Sequence, residues 1–242
     1  MQRHTLVHSK VLYVPGVDLD ASNLVQHPAM CQIRRRGAPA PTHPALIEAE
    51  EAAVEAQKAA GSATVLRRLV GPPGKSFIHD LSAATIAFYP FSTIGADAAL
   101  SSSGVVYFEF SYTDKAGCSI QPGFASPGMP IDVHKETGDG VGDDDGSWAV
   151  DGDRKQLWND GRKPWEGNWM GGDVIGLAAN VDVGKIAVSK NGNWSAPGHG
   201  IVFSDDKIKE GVYPAITAGR CELQYRIAAP FQHGPPPAEL WA

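Results

Sequence analysis

Cysteine is scarce in this sequence of 242 residues, which contains only Cys31, Cys118 and Cys221. The number is odd and no two of them share a short motif, so the spacing excludes Cys-x-x-Cys zinc and redox sites. No secretory apolar region follows Met1, and secreted chains are the usual carriers of disulfides. We therefore expect free, buried thiols in a reducing compartment. The first expectation is a cytoplasmic location.

An organelle such as the mitochondrion is the alternative location, because residues 1–17 contain no acidic residue, as is typical of targeting peptides. Long hydrophobic runs are also absent. The longest, such as residues 174–179, are far too short to cross a bilayer, which excludes a membrane span.

Basic residues are outnumbered by acidic ones in the larger part of the chain. The net charge is −6, and residues 81–242 carry 20 acidic against 12 basic side chains. Such a body repels phosphate backbones, so nucleic acid is not an expected partner. The acid concentrates in residues 132–160, with nine acidic and three basic side chains. A solvated loop and a docking surface for a basic partner are both consistent with it.

Motifs for catalysis and cofactors are missing as well. Residues 71–76 (GPPGKS) resemble the end of a phosphate-binding loop, but Leu69 stands where that motif needs glycine. A calcium loop that starts at Asp143 would place Trp148 where glycine is required. Ser126 lacks the spacing of a nucleophile elbow. We therefore expect no cofactor, no metal and no enzyme activity.

The sequence contains one clear helix, predicted for residues 42–61, with Thr42 as a cap and Gly61 as a stop. Its apolar stripe is thin, so we expect the helix on a surface. We divide the chain into an extended arm (1–41), this helix, a connecting strand and turn (62–83), a β domain (84–230) and a C-terminal tail (231–242).

From residue 85 onward apolar residues recur with a period of two, which indicates strands with one buried and one solvated face. Turn signals at Gly184 and at Asn191-Gly192 predict hairpins. No helical pattern lies between these strands, so two packed antiparallel sheets are expected. Three groups should each share a buried face: Val106, Phe108, Phe110 and Tyr112; Ile175, Leu177, Ala179 and Val181; Cys221, Leu223, Tyr225 and Ile227.

Residues 84–230 resemble the SPRY domain family in seven segments that follow the family's order. The segments are GVVYFEF (104–110), QPGFA (121–125), GVGDDDGSW (140–148), LWNDG (157–161), WMGGDVIGL (169–177), GKIAVSKNG (184–192) and VYPAI (212–216). Each one is a weak signal alone, and the series with sensible spacing is a strong one. The resemblance implies a bent all-β sandwich of two antiparallel sheets.

The resemblance also implies a function, that of a non-catalytic protein-interaction module. We expect an adaptor or accessory subunit of a larger assembly, whose partner has a basic surface. The binding rim would comprise the loop 126–146 and the turn 217–220. One peptide-binding subgroup has Val-Trp-Gly at that turn, and Ala218-Gly219-Arg220 lacks the tryptophan. The predicted partner-binding residues are Asp139, Asp143, Asp144, Asp145, Gly219 and Arg220.

Two other functions are open at this point. A carbohydrate-binding jelly-roll domain would use exposed rings for stacking, and Trp165, Trp169 and Trp194 lie in turn-like surroundings. Trp148 and Trp158 follow strand spacing and are expected in or beside the core. An enzyme that uses the acidic loop ranks last.

Overall fold

The computed structural model describes residues 43–59, 65–71, 77–80, 85–88, 91–113, 118–131 and 139–242. The predicted arm (1–41) lies outside these residues. One helix, α1 (His43–Ala59), is followed within them by the strands β1 (Arg67–Val70), β2 (Phe77–Asp80), β3 (Thr85–Phe88), β4 (Ser92–Gly95), β5 (Val105–Tyr112), β6 (Ser119–Ala125), β7 (Ser147–Asp151), β8 (Gln156–Trp158), β9 (Arg162–Pro164), β10 (Val174–Asn180), β11 (Lys185–Lys190), β12 (Gly200–Ser204), β13 (Tyr213–Gly219) and β14 (Glu222–Arg226).

The strands form two seven-stranded sheets whose neighbouring strands run antiparallel. Sheet I has the order β1-β4-β13-β6-β7-β8-β9, and sheet II the order β12-β11-β10-β5-β14-β3-β2. In sheet II the long strands β5 and β10 pair over seven residue positions, from Val174 opposite Ser111 to Asn180 opposite Val105. The predicted all-β sandwich is confirmed.

The core between the sheets is built from the residues that the period of two selects. Phe108, Phe110 and Tyr112 of β5 are buried in it, and Val106 packs against it. The predicted group of β10 and the residues Cys221 and Leu223 lie in the same cluster, and Tyr225 and Ile227 are partly buried against it. Trp148 is 1% exposed and belongs to this core, as predicted. Alternation places every second side chain of a strand on one face, so the pattern defines the core directly.

The predicted turns lie where the sequence places them. β10 and β11 form a hairpin whose turn ends at Gly184, with φ +68°. At the end of β11, Asn191 and Gly192 both have positive φ, +52° and +76°. That pair of angles is typical of a type I′ turn, for which Asn-Gly is the preferred sequence.

The outer face of sheet II differs from the prediction. The period of two predicted a solvated face there, but Tyr107 and Glu109 of β5 are buried, as are Ala178 and Ala187 on the neighbouring strands. Residues 231–242, predicted as a tail, cover this face, and Trp241 is buried in the same cluster as Tyr107. The prediction failed because the covering residues are far away in the chain.

Segments before residue 84 also contribute to the sandwich. β1 pairs with β4 in sheet I, and β2 pairs with β3 in sheet II. The side chain of Gln57 in α1 accepts a hydrogen bond from the amide of Leu66 and donates one to its carbonyl, both at 2.9 Å. These bonds fix the end of the helix beside β1. Within the described part of the chain, no helix has the length and apolarity to cross a membrane.

The cysteine prediction is wrong for two of the three residues. Cys118 and Cys221 form a disulfide that connects positions 103 residues apart. Cys118 directly precedes β6, and Cys221 lies between β13 and β14. The pairing escaped prediction because the two cysteines share no local motif and meet only through the folding of the sheets. Cys31 lies outside the described residues.

Candidate functional site

The acidic loop, residues 139–146, is folded by its own carboxylates. Asp143 Oδ2 accepts a hydrogen bond from the Gly140 amide at 2.6 Å. Asp144 accepts bonds from the Gly146 amide at 2.7 Å and from the Ser147 hydroxyl at 2.9 Å. Short aspartate side chains commonly tie turns in this way. Asp143 and Asp144 therefore hold the loop in one conformation in addition to giving it charge.

The loop is attached to the outer face of sheet I. The Val141 amide donates to Thr217 Oγ1 of β13 at 2.8 Å, and Thr217 in turn shares a 2.7 Å bond with Thr93 of β4. Val141 and Met129 are buried against Tyr213 in a small apolar cluster on this face. The loop thus begins over β13 at Val141 and continues to β8, where Gly142 lies against Trp158, whereas the resemblance implied a position at the rim.

The predicted turn is close to one end of this loop. Gly219 is the buried last residue of β13, and Arg220 is exposed with φ +56°. Thr217 lies two residues before Gly219, so on strand geometry the attachment point of the loop is on the order of 7 Å from the turn. Asp139 is exposed and adjoins that attachment point.

Asp145 lies at the other end of the loop and has a different partner. It is exposed and forms an ion pair with Lys207, which belongs to a short 3₁₀ helix, Asp206–Glu210. Asp205 before that helix accepts a bond from the Trp148 indole at 3.1 Å. Asp139, Asp143 and Asp145 are therefore exposed along one loop, Arg220 is exposed at the nearby turn, and Gly219 is buried.

The electrostatics of the loop reflect its crowding. Burial raises the pKa of Asp143, and the nearby charges of Asp139 and Asp144 add to the effect, while the bond from Gly140 opposes it. Burial also raises the pKa of Asp144, with added repulsion from Asp145. Lys207 instead lowers the pKa of Asp145 through its hydrogen bond and its charge. The loop presents repelling negative charge, which Arg154 offsets in part at Asp143 and Lys207 offsets at Asp145.

Beside Tyr107, Phe231 and Pro235 the described residues form an open groove of about 420 Å³. The enclosed space between the sheets beside Leu66 and Phe108 has a volume of about 10 Å³, roughly the room that one water needs. Among the described residues, no three His, Cys, Asp or Glu side chains are grouped to hold a metal ion.

The three tryptophans predicted to stack on a carbohydrate are buried, so the prediction that their rings are exposed is wrong. Trp165, Trp169 and Trp194 are 7%, 5% and 9% exposed. The Trp165 and Trp169 rings pack edge to face at 5.6 Å and belong to the main core. Connections of a sandwich fold back onto the core, and large aromatic rings in them bury more area than they expose. Trp158 is partly buried at the loop, as predicted.

A second site escaped the sequence reasoning altogether. The carboxylate of Glu109, on the outer face of sheet II, accepts hydrogen bonds from three consecutive amides, those of Gln232, His233 and Gly234, at 2.6, 2.7 and 3.0 Å. The Tyr107 hydroxyl donates a fourth bond at 2.8 Å. The only local signal was an acidic residue in the middle of an apolar strand.

These bonds set the charge state of Glu109. Burial on its own raises the pKa of this carboxyl, but the amides of Gln232 and His233, the Tyr107 hydroxyl and the Gly234 amide together lower the pKa below its ordinary value. Burial and the neighbouring carboxylate in turn raise the pKa of Tyr107. A buried carboxylate is tolerated when its oxygens receive several hydrogen bonds. Glu109 is therefore a charged acceptor under the chain that covers it.

Two antiparallel sheets with structured segments folded over their outer faces define a β-sandwich. The family model of the SPRY domain matches residues 105–228, just over half of the chain. The chain belongs to the SPRY domain family.

Similar proteins include the E3 ubiquitin-protein ligase RKP of Arabidopsis thaliana, which is 36% identical over 117 residues. The match spans 47% of this chain and 9% of that much longer protein. Among solved structures, the SPRY domain of human HERC1 aligns with a TM-score of 0.48 at 14% identity, over 62% of this chain and 91% of that one.

Proposed function

We propose that the sandwich is a non-catalytic protein-binding module and that the chain serves as an adaptor or accessory subunit of a larger assembly. The observation that carries the proposal is the acidic loop, which is held by its own hydrogen bonds on β13 before any partner arrives. A surface that is ordered in advance loses less conformational entropy on binding. SPRY domains as a family serve protein interaction, which supports the same reading.

The charge of the loop suggests the chemistry of the partner. Asp139, Asp143 and Asp145 are exposed, and Asp144 behind them is half-buried. We propose that they bind a basic segment or surface of another protein, with Gly219 and Arg220 at the border of the contact. Charge complementarity of this kind acts mainly through the rate of association and through specificity.

The ubiquitin ligase among the relatives bears on the question of catalysis. The chain matches 9% of that protein. We infer that the shared part serves recognition and that ligase chemistry, where it occurs, belongs to other parts of such proteins. A role of this chain in selecting proteins for ubiquitin transfer is a finer proposal of the same kind.

The compartment is a separate proposal. The cytoplasmic expectation depended on free thiols, and the disulfide between Cys118 and Cys221 removes that support. The mitochondrial alternative depended on residues 1–17, which lie outside the described residues. We keep an intracellular assembly as the proposal because the ubiquitin ligase is the named relative. Counting alkylated thiols in protein isolated under acid quench tests it, and a fully oxidised pair in every preparation counts against a reducing compartment.

The proposal is tested by affinity purification of the tagged full chain from native extract, with quantitative mass spectrometry. The charge variant Asp143→Asn with Asp145→Asn keeps the shape of the loop, and Glu166→Gln, an exposed acid elsewhere, is the matched control. We expect one set of proteins to be enriched by wild type and control and reduced about tenfold by the charge variant.

Two results contradict it. If no protein is enriched, and size-exclusion chromatography of the extract shows the chain only at its monomer mass, the result argues against a binding module. Equal enrichment by all three chains places the contact elsewhere than the acidic loop.

A further inference from the structure

Residues 231–242 cover the outer face of sheet II and lie beyond the segment that matches the family. The Phe231 ring packs edge to face on Tyr107 at 4.7 Å. At the other end, Trp241 is buried in the cluster that contains Trp194, and its carbonyl accepts a bond from Lys185 at 3.1 Å. The segment is therefore held at both ends by an aromatic side chain.

The middle of the segment is recognised through its main chain. Three consecutive amides bind Glu109, and every residue except proline carries such a donor. The side chains of Gln232 and His233 are exposed. Glu109 thus binds backbone amides, which do not depend on the side chains of these residues. The aromatic residues at the two ends of the segment supply the sequence preference.

Sheet II has room for the side chains that contact this segment. Gly176 faces Glu109 on β10, and a Cβ there would lie 2.7 Å from the Tyr107 hydroxyl. The glycine therefore leaves the space in which Tyr107 reaches Glu109. Removal of the segment would leave a buried carboxylate with far fewer donors and an uncovered apolar cluster, and both cost free energy.

We propose that the face around Glu109 is a peptide-binding site and that residues 231–242 are its resident ligand. The same site takes a peptide of the same pattern from another chain when the resident segment is displaced. The pattern is an aromatic residue, three following residues with backbone N–H groups, and a second aromatic residue ten positions after the first, as in Phe231 and Trp241.

The resident segment has a large advantage over an added peptide. β14 ends at Arg226, five positions before Phe231, so the link is short and the effective concentration of the segment is on the order of millimolar or more. A competing peptide needs either a weakened segment or a high concentration. This requirement determines the design of the experiment.

The experiment uses the full chain and a fluorescent synthetic peptide of residues 229–242. The loosened variant, Phe231→Ala with Trp241→Ala, removes both aromatic contacts and leaves Glu109 in place. We expect it to bind the peptide at least about tenfold more tightly than wild type does. Adding Glu109→Gln should abolish that gain, whereas adding Ser111→Ala, on the same strand and face, should preserve it.

Binding that is no tighter in the loosened variant, or that is unaffected by Glu109→Gln, overturns the proposal. A second measurement does not depend on the folding of any variant. Excess unlabelled peptide added to wild type should speed hydrogen exchange of amides 232–234 at least severalfold. No increase at millimolar peptide also overturns it.

Discussion

The two sheets of the sandwich are each covered on the outer face, but the two covers are held in different ways. The acidic loop over sheet I is tied by bonds between neighbours, such as those from Asp143 to Gly140 and from Asp144 to Gly146. In residues 231–242 over sheet II, the amides of three consecutive residues are bound by one carboxylate, Glu109, that belongs to the sheet itself. The conformation of the acidic loop is therefore stabilised by bonds within the loop, whereas the conformation of residues 231–242 depends on bonds to a strand of the sheet.

The largest expected effect concerns the disulfide, which belongs to neither cover. Replacing Cys118 and Cys221 by alanine should lower the free energy of unfolding by about 4 kcal/mol, because the bond closes a loop of roughly 100 residues in the unfolded chain. Urea denaturation measures it. Both covers should keep their hydrogen-exchange protection relative to the core. Unchanged stability would restore the prediction of free thiols.

The next effect separates the covers. Glu109→Ala should cost about 3 kcal/mol, because three amides and the Tyr107 hydroxyl lose their acceptor. Exchange should accelerate in residues 231–242 and stay unchanged in the acidic loop. Ser111→Ala is the control on the same strand and face. Equal acceleration in both covers would show that they are not independent.

The smallest effect is an opposite response to acid. The pKa of Glu109 is lowered by folding, so its stabilising contribution is present at neutral pH and is lost as the pH falls through its folded pKa. The pKa of Asp143 is raised, so its charged form opposes folding at neutral pH, and protonation relieves this as the pH falls through its folded pKa.

Melting temperatures measured from pH 7 down to about 3, which is below the ordinary pKa values of carboxyl groups, test these signs. The advantage of wild type over Glu109→Gln should shrink on acidification. Any advantage of Asp143→Asn over wild type should also shrink, because wild type then becomes neutral at this position. The same sign for both variants at pH 7 would contradict the comparison.

The strands and the core were predictable because their signal is local. Residues such as Phe108, Leu177 and Leu223 follow the period of two, and that period by itself assigns them to one face. The Asn191-Gly192 turn was predictable for the same reason, since two adjacent residues determine it. The family resemblance was built on seven short segments, and the family model that matches residues 105–228 confirms it.

The candidate sites were predictable only in part. The acidic residues of the loop were identified, but their position over β13 depends on Thr217, which is 76 residues from Val141. The Glu109 site depends on backbone amides 123 to 125 residues away, and backbone groups leave no trace in a sequence. Trp165, Trp169 and Trp194 misled because their turn-like neighbours say nothing about the core beneath them.

Gly176 lies on a strand whose alternate residues face the core and the outer side of sheet II. Its neighbours in the chain, Ile175 and Leu177, fill the core, while the glycine itself keeps open the space for a tyrosine on the reverse side. One added methyl group would push that ring aside without touching the interior. Such a chain would fold with its centre intact and hold residues 231–242 less firmly, so a substitution at one glycine would act on the cover and leave the core unchanged.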